Sequence, residues 1–204
     1  SDGFRRAPPS YQRGIRWREG HPLEALHVEM DNEVQCAMAN DRADRRHERL
    51  WTIAGDWATS GHVVEDPPVP VSGSDVYEVL PGGYFLVHHV DVTVGAQEVR
   101  AIEIIGERAS QDNTFLARSY DNEGNTEVMA LTIDDEGVFH FSGGPEIAPA
   151  AQPVNASTAR VRSTLRIGPD GNSMTALWER SQDGTTWERW MDMTFTRRPQ
   201  PDPR

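Results

Sequence analysis

NTFLARSY (Asn113–Tyr120), DNEGN (Asp121–Asn125), TEVMALTI (Thr126–Ile133), DDEG (Asp134–Gly137) and VFHFS (Val138–Ser142) follow one another without interruption. Short runs rich in β-branched and aromatic residues alternate here with turns built from Asp, Asn and Gly. Glycine and asparagine supply the positive φ angles of tight hairpins, so the stretch reads as three antiparallel strands in sequence order. The same rhythm extends outward from Gly55 to Thr196, with further turns at Pro81-Gly82-Gly83, Gly168-Pro169-Asp170-Gly171-Asn172 and Ser181-Gln182-Asp183-Gly184. It predicts strands near 56–65, 73–80, 84–94, 98–108, 113–120, 126–133, 137–142, 159–167, 173–181 and 186–196. About ten strands in up-and-down order make an all-β antiparallel barrel, and a barrel of that size surrounds a cavity. Residues 143–158, with Pro145, Pro149 and Pro153, form the longest interruption and read as a loop at the barrel mouth.

The N-terminal quarter reads differently. Residues 1–20 mix Pro8-Pro9, glycine and arginine without periodicity and are expected to form a flexible arm. Residues 21–54 read as a helical extension. From Pro22, the stripe Leu23, Leu26, Met30, Val34 and Met38 is that of an amphipathic helix. A second helical segment starts near Asp41 and carries Ala43, His47, Leu50, Trp51 and Ala54 on one side, suited to closing one end of the barrel. The barrel is then 55–197 and the tail 198–204.

Composition narrows the function classes. With 37% hydrophobic and 25% charged residues in 204, the chain has the make-up of a soluble domain plus an appendage. No run approaches the roughly 18 apolar residues of a membrane span, and the first residues lack the order of a secretion signal, so a cytoplasmic location and no membrane partner are expected. The single cysteine, Cys36, excludes an internal disulfide framework and multi-cysteine metal sites. All 20 basic residues are arginine, which removes Schiff-base chemistry and a lysine base. Residues 1–50 hold nine Arg against nine Asp/Glu, so the net charge of -12 resides in the barrel, and nucleic acid is not an expected partner. Nothing in the pattern fixes the oligomeric state, and a homodimer stays open.

Leu50-Trp51-Thr52-Ile53-Ala54-Gly55-Asp56-Trp57 resembles the Gly-x-Trp start of calycin barrels, with its preceding short helix. Ile102-Glu103-Ile104-Ile105-Gly106, Phe115–Tyr120 with the turn Asp121–Asn125, and Trp178–Asp192 agree with it in order. Together, over roughly 45–197, they resemble an uncharacterised bacterial family of lipocalin-like barrels, distantly related to nitrobindin and the fatty-acid-binding proteins. The resemblance implies a calycin-like fold and Trp57 as a structural plug of the barrel floor; it implies no reaction. Two departures stand out: Gly106 is followed by Glu107-Arg108 in place of an aromatic and an aspartate, and the arm before residue 45 is long. No histidine follows His140, so haem ligation of the nitrobindin kind is not implied.

Candidate chemistry is sparse. In Tyr84–Val92 the residues at even positions are the more apolar, which turns His88 inward and His89 outward; two adjacent strand histidines cannot chelate one metal. An inward His88 is either a hydrogen-bonded core residue or a general base. Glu103 lies in an otherwise apolar strand; turned inward, it would have a raised pKa and could exchange protons. Arg118 and Tyr120 share a face with Leu116, and Arg189 shares one with Trp187, Met191, Met193 and Phe195. Arginines among inward apolar residues suit a carboxylate on an apolar ligand, or else an internal ion pair. Met129, Trp178 and Met191 suit an adaptable apolar pocket or a plain core. Asp121-x-Glu123-x-Asn125 is a turn rather than a calcium loop, and no metal ligand set emerges. The chain contains no P-loop, dinucleotide fingerprint or Gly-x-Ser-x-Gly elbow.

Two function classes remain. One is binding of a small apolar or amphipathic molecule, with Met129, Trp178, Met191 and His88 around it and Arg118, Tyr120 or Arg189 at its polar end. The other is a cyclase or isomerase of specialised metabolism, for example one closing a polyketide-type ring, with His88 or Glu103 moving a proton. Neither requires a cofactor. A protein-interaction role through the arm is a third.

Overall fold

The computed structural model describes residues 45–109, 113–144, 147 and 160–199. The expected arm, the stripe from Leu23 to Met38, Cys36, most of the loop 143–158 and residues 200–204 lie outside the described residues. A short helix α1 (Arg45–Leu50) and a 3-10 turn (Trp51–Ile53) lead into ten strands. These are β1 (Gly55–Val63), β2 (Val69–Val79), β3 (Leu86–Val94), β4 (Gln97–Arg108), β5 (Thr114–Asp121), β6 (Thr126–Ile133), β7 (Phe139–Gly143), β8 (Arg160–Ile167), β9 (Ser173–Ser181) and β10 (Glu188–Arg197). Each pairs antiparallel with its neighbour in sequence, and β1 pairs with β10, so the barrel closes and leaves no sheet edge. The fold is the all-β, ten-stranded up-and-down barrel the turn rhythm predicts. Strand β2 starts four residues earlier than the prolines at 67, 68 and 70 suggest, because Val69 and Pro70 still pair with Val63 and His62 of β1.

The two ends of the barrel differ. Toward the end covered by α1, Leu50, Ile53, Trp57, Leu86, Ile105, Leu131, Phe139 and Met174 are all but fully buried and fill the interior. Trp57 donates its indole N–H to the Ile53 carbonyl (3.0 Å), and the Arg197 guanidinium lies 4.1 Å from the centre of its ring. Arg197 also donates to the carbonyls of Ala54 (2.8 Å) and Gly171 (3.0 Å), tying the last strand to the start of the first. Arg49 donates to the carbonyls of Ile133 and Asp134, and Trp51 to that of Gly83 (3.0 Å), so the helical segment is fastened to the turns it covers. The expected inward stripe is altered at one point. Ile53 is buried and Trp51 is partly exposed, because three residues per turn in the 3-10 segment rotate the apolar face relative to an α-helix.

Gly106 sits where β4 slips register against β5, with φ 131°. A side chain there would collide with the Tyr84 carbonyl, so a bulge at this position requires glycine. At the opposite end of the barrel the interior is walled by Val63, Val71 and Val92, with Val69, Val90, Val94 and Val99 beside them.

Because α1 plugs the filled end, Leu50→Ala should cost about 2–5 kcal/mol of unfolding free energy, the range for a large-to-small change in a packed core. Urea denaturation of the two proteins measures this. A loss under about 1 kcal/mol would mean that the helical segment does not seal the barrel.

Candidate functional site

Between the filled end and the valine-walled end lies a cavity of about 650 Å³. Its walls are mainly apolar: Val71, Val90, Val92, Val99, Met129 and Phe141, with Trp178, Trp190, Met191 and Met193 on the far side. Trp178 and Trp190 meet edge to face, with ring centres 6.3 Å apart.

One polar row crosses this apolar interior, and strand register explains it. Tyr77 of β2 stands opposite His88 of β3, His88 opposite Glu103 of β4, Glu103 opposite Ser119 of β5, and Ser119 opposite Glu127 of β6. Residues directly opposite in adjacent strands point to the same face, so a single inward position fixes the whole row. All five line the cavity. Asp75, two residues before Tyr77 and so on the same face of β2, joins the row from the side.

His88 is the centre of this arrangement. Its Nε2 donates to Asp75 Oδ1 at 2.7 Å and its Nδ1 donates to Glu103 Oε2 at 3.1 Å. His88 is 9% exposed, and Tyr77 stacks on its imidazole with ring centres 3.9 Å apart and planes 10° from parallel. Thr59 of β1 donates its hydroxyl to the other Asp75 oxygen. Burial alone would drive the proton off the ring, but the hydrogen bonds to Asp75 and Glu103 and their charges outweigh it and raise the pKa to about 9. At neutral pH His88 is an imidazolium with both N–H groups engaged. Burial, then the charges of Asp75 and Glu103, push the Tyr77 phenol well above its usual value and keep it neutral. Partial desolvation against the cavity wall, then the charge of Glu103, raise the carboxyl of Glu127, although the residue stays open to solvent.

Of the residues expected at the site, His88, Glu103, Met129, Trp178 and Met191 line the cavity. Arg118, Tyr120 and Arg189 do not, which corrects the expected placement of the guanidiniums. In β5 the inward face is Phe115, Ala117, Ser119 and Asp121; Arg118 is outside in a two-point ion pair with Glu107 (2.7 and 3.2 Å), and Tyr120 is 53% exposed. In β10 a register shift between Arg189 and Met191 breaks the expected alternation. Trp190 and Met191 therefore both reach the cavity, while Arg189 turns to solvent and pairs with Asp192 (2.8 and 2.6 Å). Sequence reasoning missed Asp75, Tyr77, Ser119 and Glu127. A signal existed for one of them: Glu127 shares strand parity with Met129, already expected at the cavity. Among the described residues no three His, Cys, Asp or Glu side chains are grouped to hold a metal ion, and no helix is long and apolar enough to cross a membrane.

No family model matches the chain, and no curated protein matches it. Among solved structures it is similar to the crystal structure of Rv2717c from M. tuberculosis, with a TM-score of 0.54 and 16% identity over 76% of this chain and 99% of that one. The likeness supports a shared barrel fold.

An imidazole that titrates near 6.5 when unfolded and at about 9 when folded gains a proton on folding between those values. The stabilisation is complete below pH 6.5 and is lost as pH rises through 9. Unfolding free energy should therefore fall by about 1–3 kcal/mol across this window, and most of that slope should vanish in His88→Gln. Urea melts at half-unit pH intervals give the comparison; equal slopes in both proteins would contradict a buried imidazolium.

Proposed function

We propose that the barrel binds a small, mostly apolar molecule in its cavity, with the molecule's polar group directed at the row from Tyr77 to Glu127. The observation that carries this reading is the combination of about 650 Å³ of space with apolar walls and one convergent polar cluster. Ligand sites fall at about 300–1,000 Å³ and share that composition, whereas a structural barrel core is filled by side chains. Methionine and tryptophan walls adapt to irregular apolar shapes. The polar end is acidic, so the partner there is a hydrogen-bond donor and not the carboxylate that inward arginines would have suited.

A second reading, a cofactor-independent cyclase or isomerase, is favoured by one feature: Glu103 presents a carboxylate to an apolar cavity beside the neutral Tyr77 phenol. An imidazolium with both N–H groups engaged has no lone pair to accept a proton. In this reading His88 orients Glu103, Glu103 takes the proton, and Tyr77 donates a hydrogen bond to the charge that develops.

Native mass spectrometry of the protein purified from its own host, followed by extraction, is expected to reveal a stoichiometric apolar compound. Val90→Trp, which pushes an indole into the cavity, should lower its occupancy at least about tenfold while leaving a cooperative melt. Substrate and rearranged product found together, with the mixture lost in Glu103→Gln, would decide for the enzyme. A barrel that carries nothing and takes up no apolar probe would contradict both readings.

A further inference from the structure

The cavity's charges do not balance. Asp75, Glu103, Asp121 and Glu127 line it, against His88 and, near the mouth, Arg180. The two N–H groups of His88 go to Asp75 and to Glu103 Oε2. Among the described residues, neither the second Glu103 oxygen nor either oxygen of Glu127 has a hydrogen-bond donor, and Glu127 lines the cavity from a position open to solvent. Ser119, directly between these two carboxylates in the strand register, is small enough to leave space over it.

Tyr77 is an independent observation. It is 6% exposed and lines the same cavity, yet its hydroxyl meets no hydrogen-bond partner among the described residues. No buried side-chain polar atom among the described residues is left without a partner, so this hydroxyl is not sealed in the core but opens onto the cavity. Its ring is held by stacking on His88, so the hydroxyl is fixed in place at the edge of the acidic row without a protein group to satisfy it. A fixed hydroxyl open to the cavity beside carboxylate oxygens that lack a donor is the complement of a ligand group that brings several donors and positive charge.

Resting on the binding reading above, we propose that the ligand's polar group is a protonated amine, seated over Ser119 between Glu103 and Glu127 with the Tyr77 hydroxyl beside it. An ammonium supplies three N–H donors, enough for both carboxylates and the phenol oxygen, and its charge offsets the negative excess along the row. An alcohol supplies one donor and no charge, and an anion is repelled. The apolar remainder of the ligand lies toward Trp178 and Trp190, whose faces also attract cations.

Isothermal titration calorimetry at neutral pH with decylamine, decanol and decanoate as probes tests this. Decylamine is expected to bind at least about tenfold more tightly than decanol, with decanoate weakest. Glu127→Gln, nearly isosteric, should reduce the amine-to-alcohol preference to less than about threefold, and Ser119→Lys, which places a tethered ammonium between the carboxylates, should abolish it. Equal affinity for amine and alcohol, or a preference untouched in both variants, overturns the amine assignment while the binding reading stands. No heat from any of the three probes overturns the binding reading and the amine assignment with it.

Discussion

A charged imidazole inside a barrel has to be held by opposite charge, and the two carboxylates that hold His88 come from the strands on either side of it. Asp75 on β2 and Glu103 on β4 reach it across one strand spacing each. A single ionised group taken out of water is strongly disfavoured, whereas a hydrogen-bonded set of alternating charges is tolerated. Removing one partner would leave the others uncompensated, so the three residues behave as a unit, fixed further by Thr59 on Asp75 and by the Tyr77 ring. The unit carries one negative charge in excess, and that excess gives the cavity its acidic character.

This polar unit divides the barrel. Toward α1, large apolar side chains fill the interior and the Trp57–Arg197 contact joins first and last strands. Beyond it, the inward positions include Ala101, Ser119, Ser163 and Ala176, and their small size is what leaves the cavity open. The filled half supplies stability, which lets the other half keep unfilled volume.

How far the sequence was legible follows from the same division. Turn residues at Asp121–Asn125, Asp134–Gly137 and Gly168–Asn172 mark hairpins by their own backbone preferences, so strand number and order could be read locally. Inward and outward faces could be read where the inward side is the more apolar, as for His88. They could not be read where a cavity requires small inward residues. In β5 the larger Leu116, Arg118 and Tyr120 face outward while Ala117 and Ser119 face in, and in β4 the isoleucine at 102 is exposed while Ala101 and Glu103 face in. The bulge at Arg189–Met191 inverted one more assignment, and a one-residue slip carries no mark in the residue types themselves. Asp75 lies within the strand expected at 73–80, where neither Asp75-Tyr77-Val79 nor Ser74-Val76-Glu78-Leu80 is clearly the more apolar set, so nothing in the residue types marks it as inward.

The protonation state of His88 is the point on which site, charge balance and ligand chemistry all rest. Long-range proton–nitrogen NMR of the uniformly labelled protein at pH 7.5 reports it directly, with His88→Gln providing the assignment. Two protonated ring nitrogens are expected for His88, each with a slowly exchanging proton, persisting to about pH 9. A neutral ring with one bare nitrogen at pH 7.5 would contradict it, and would return to His88 the lone pair that a general base needs.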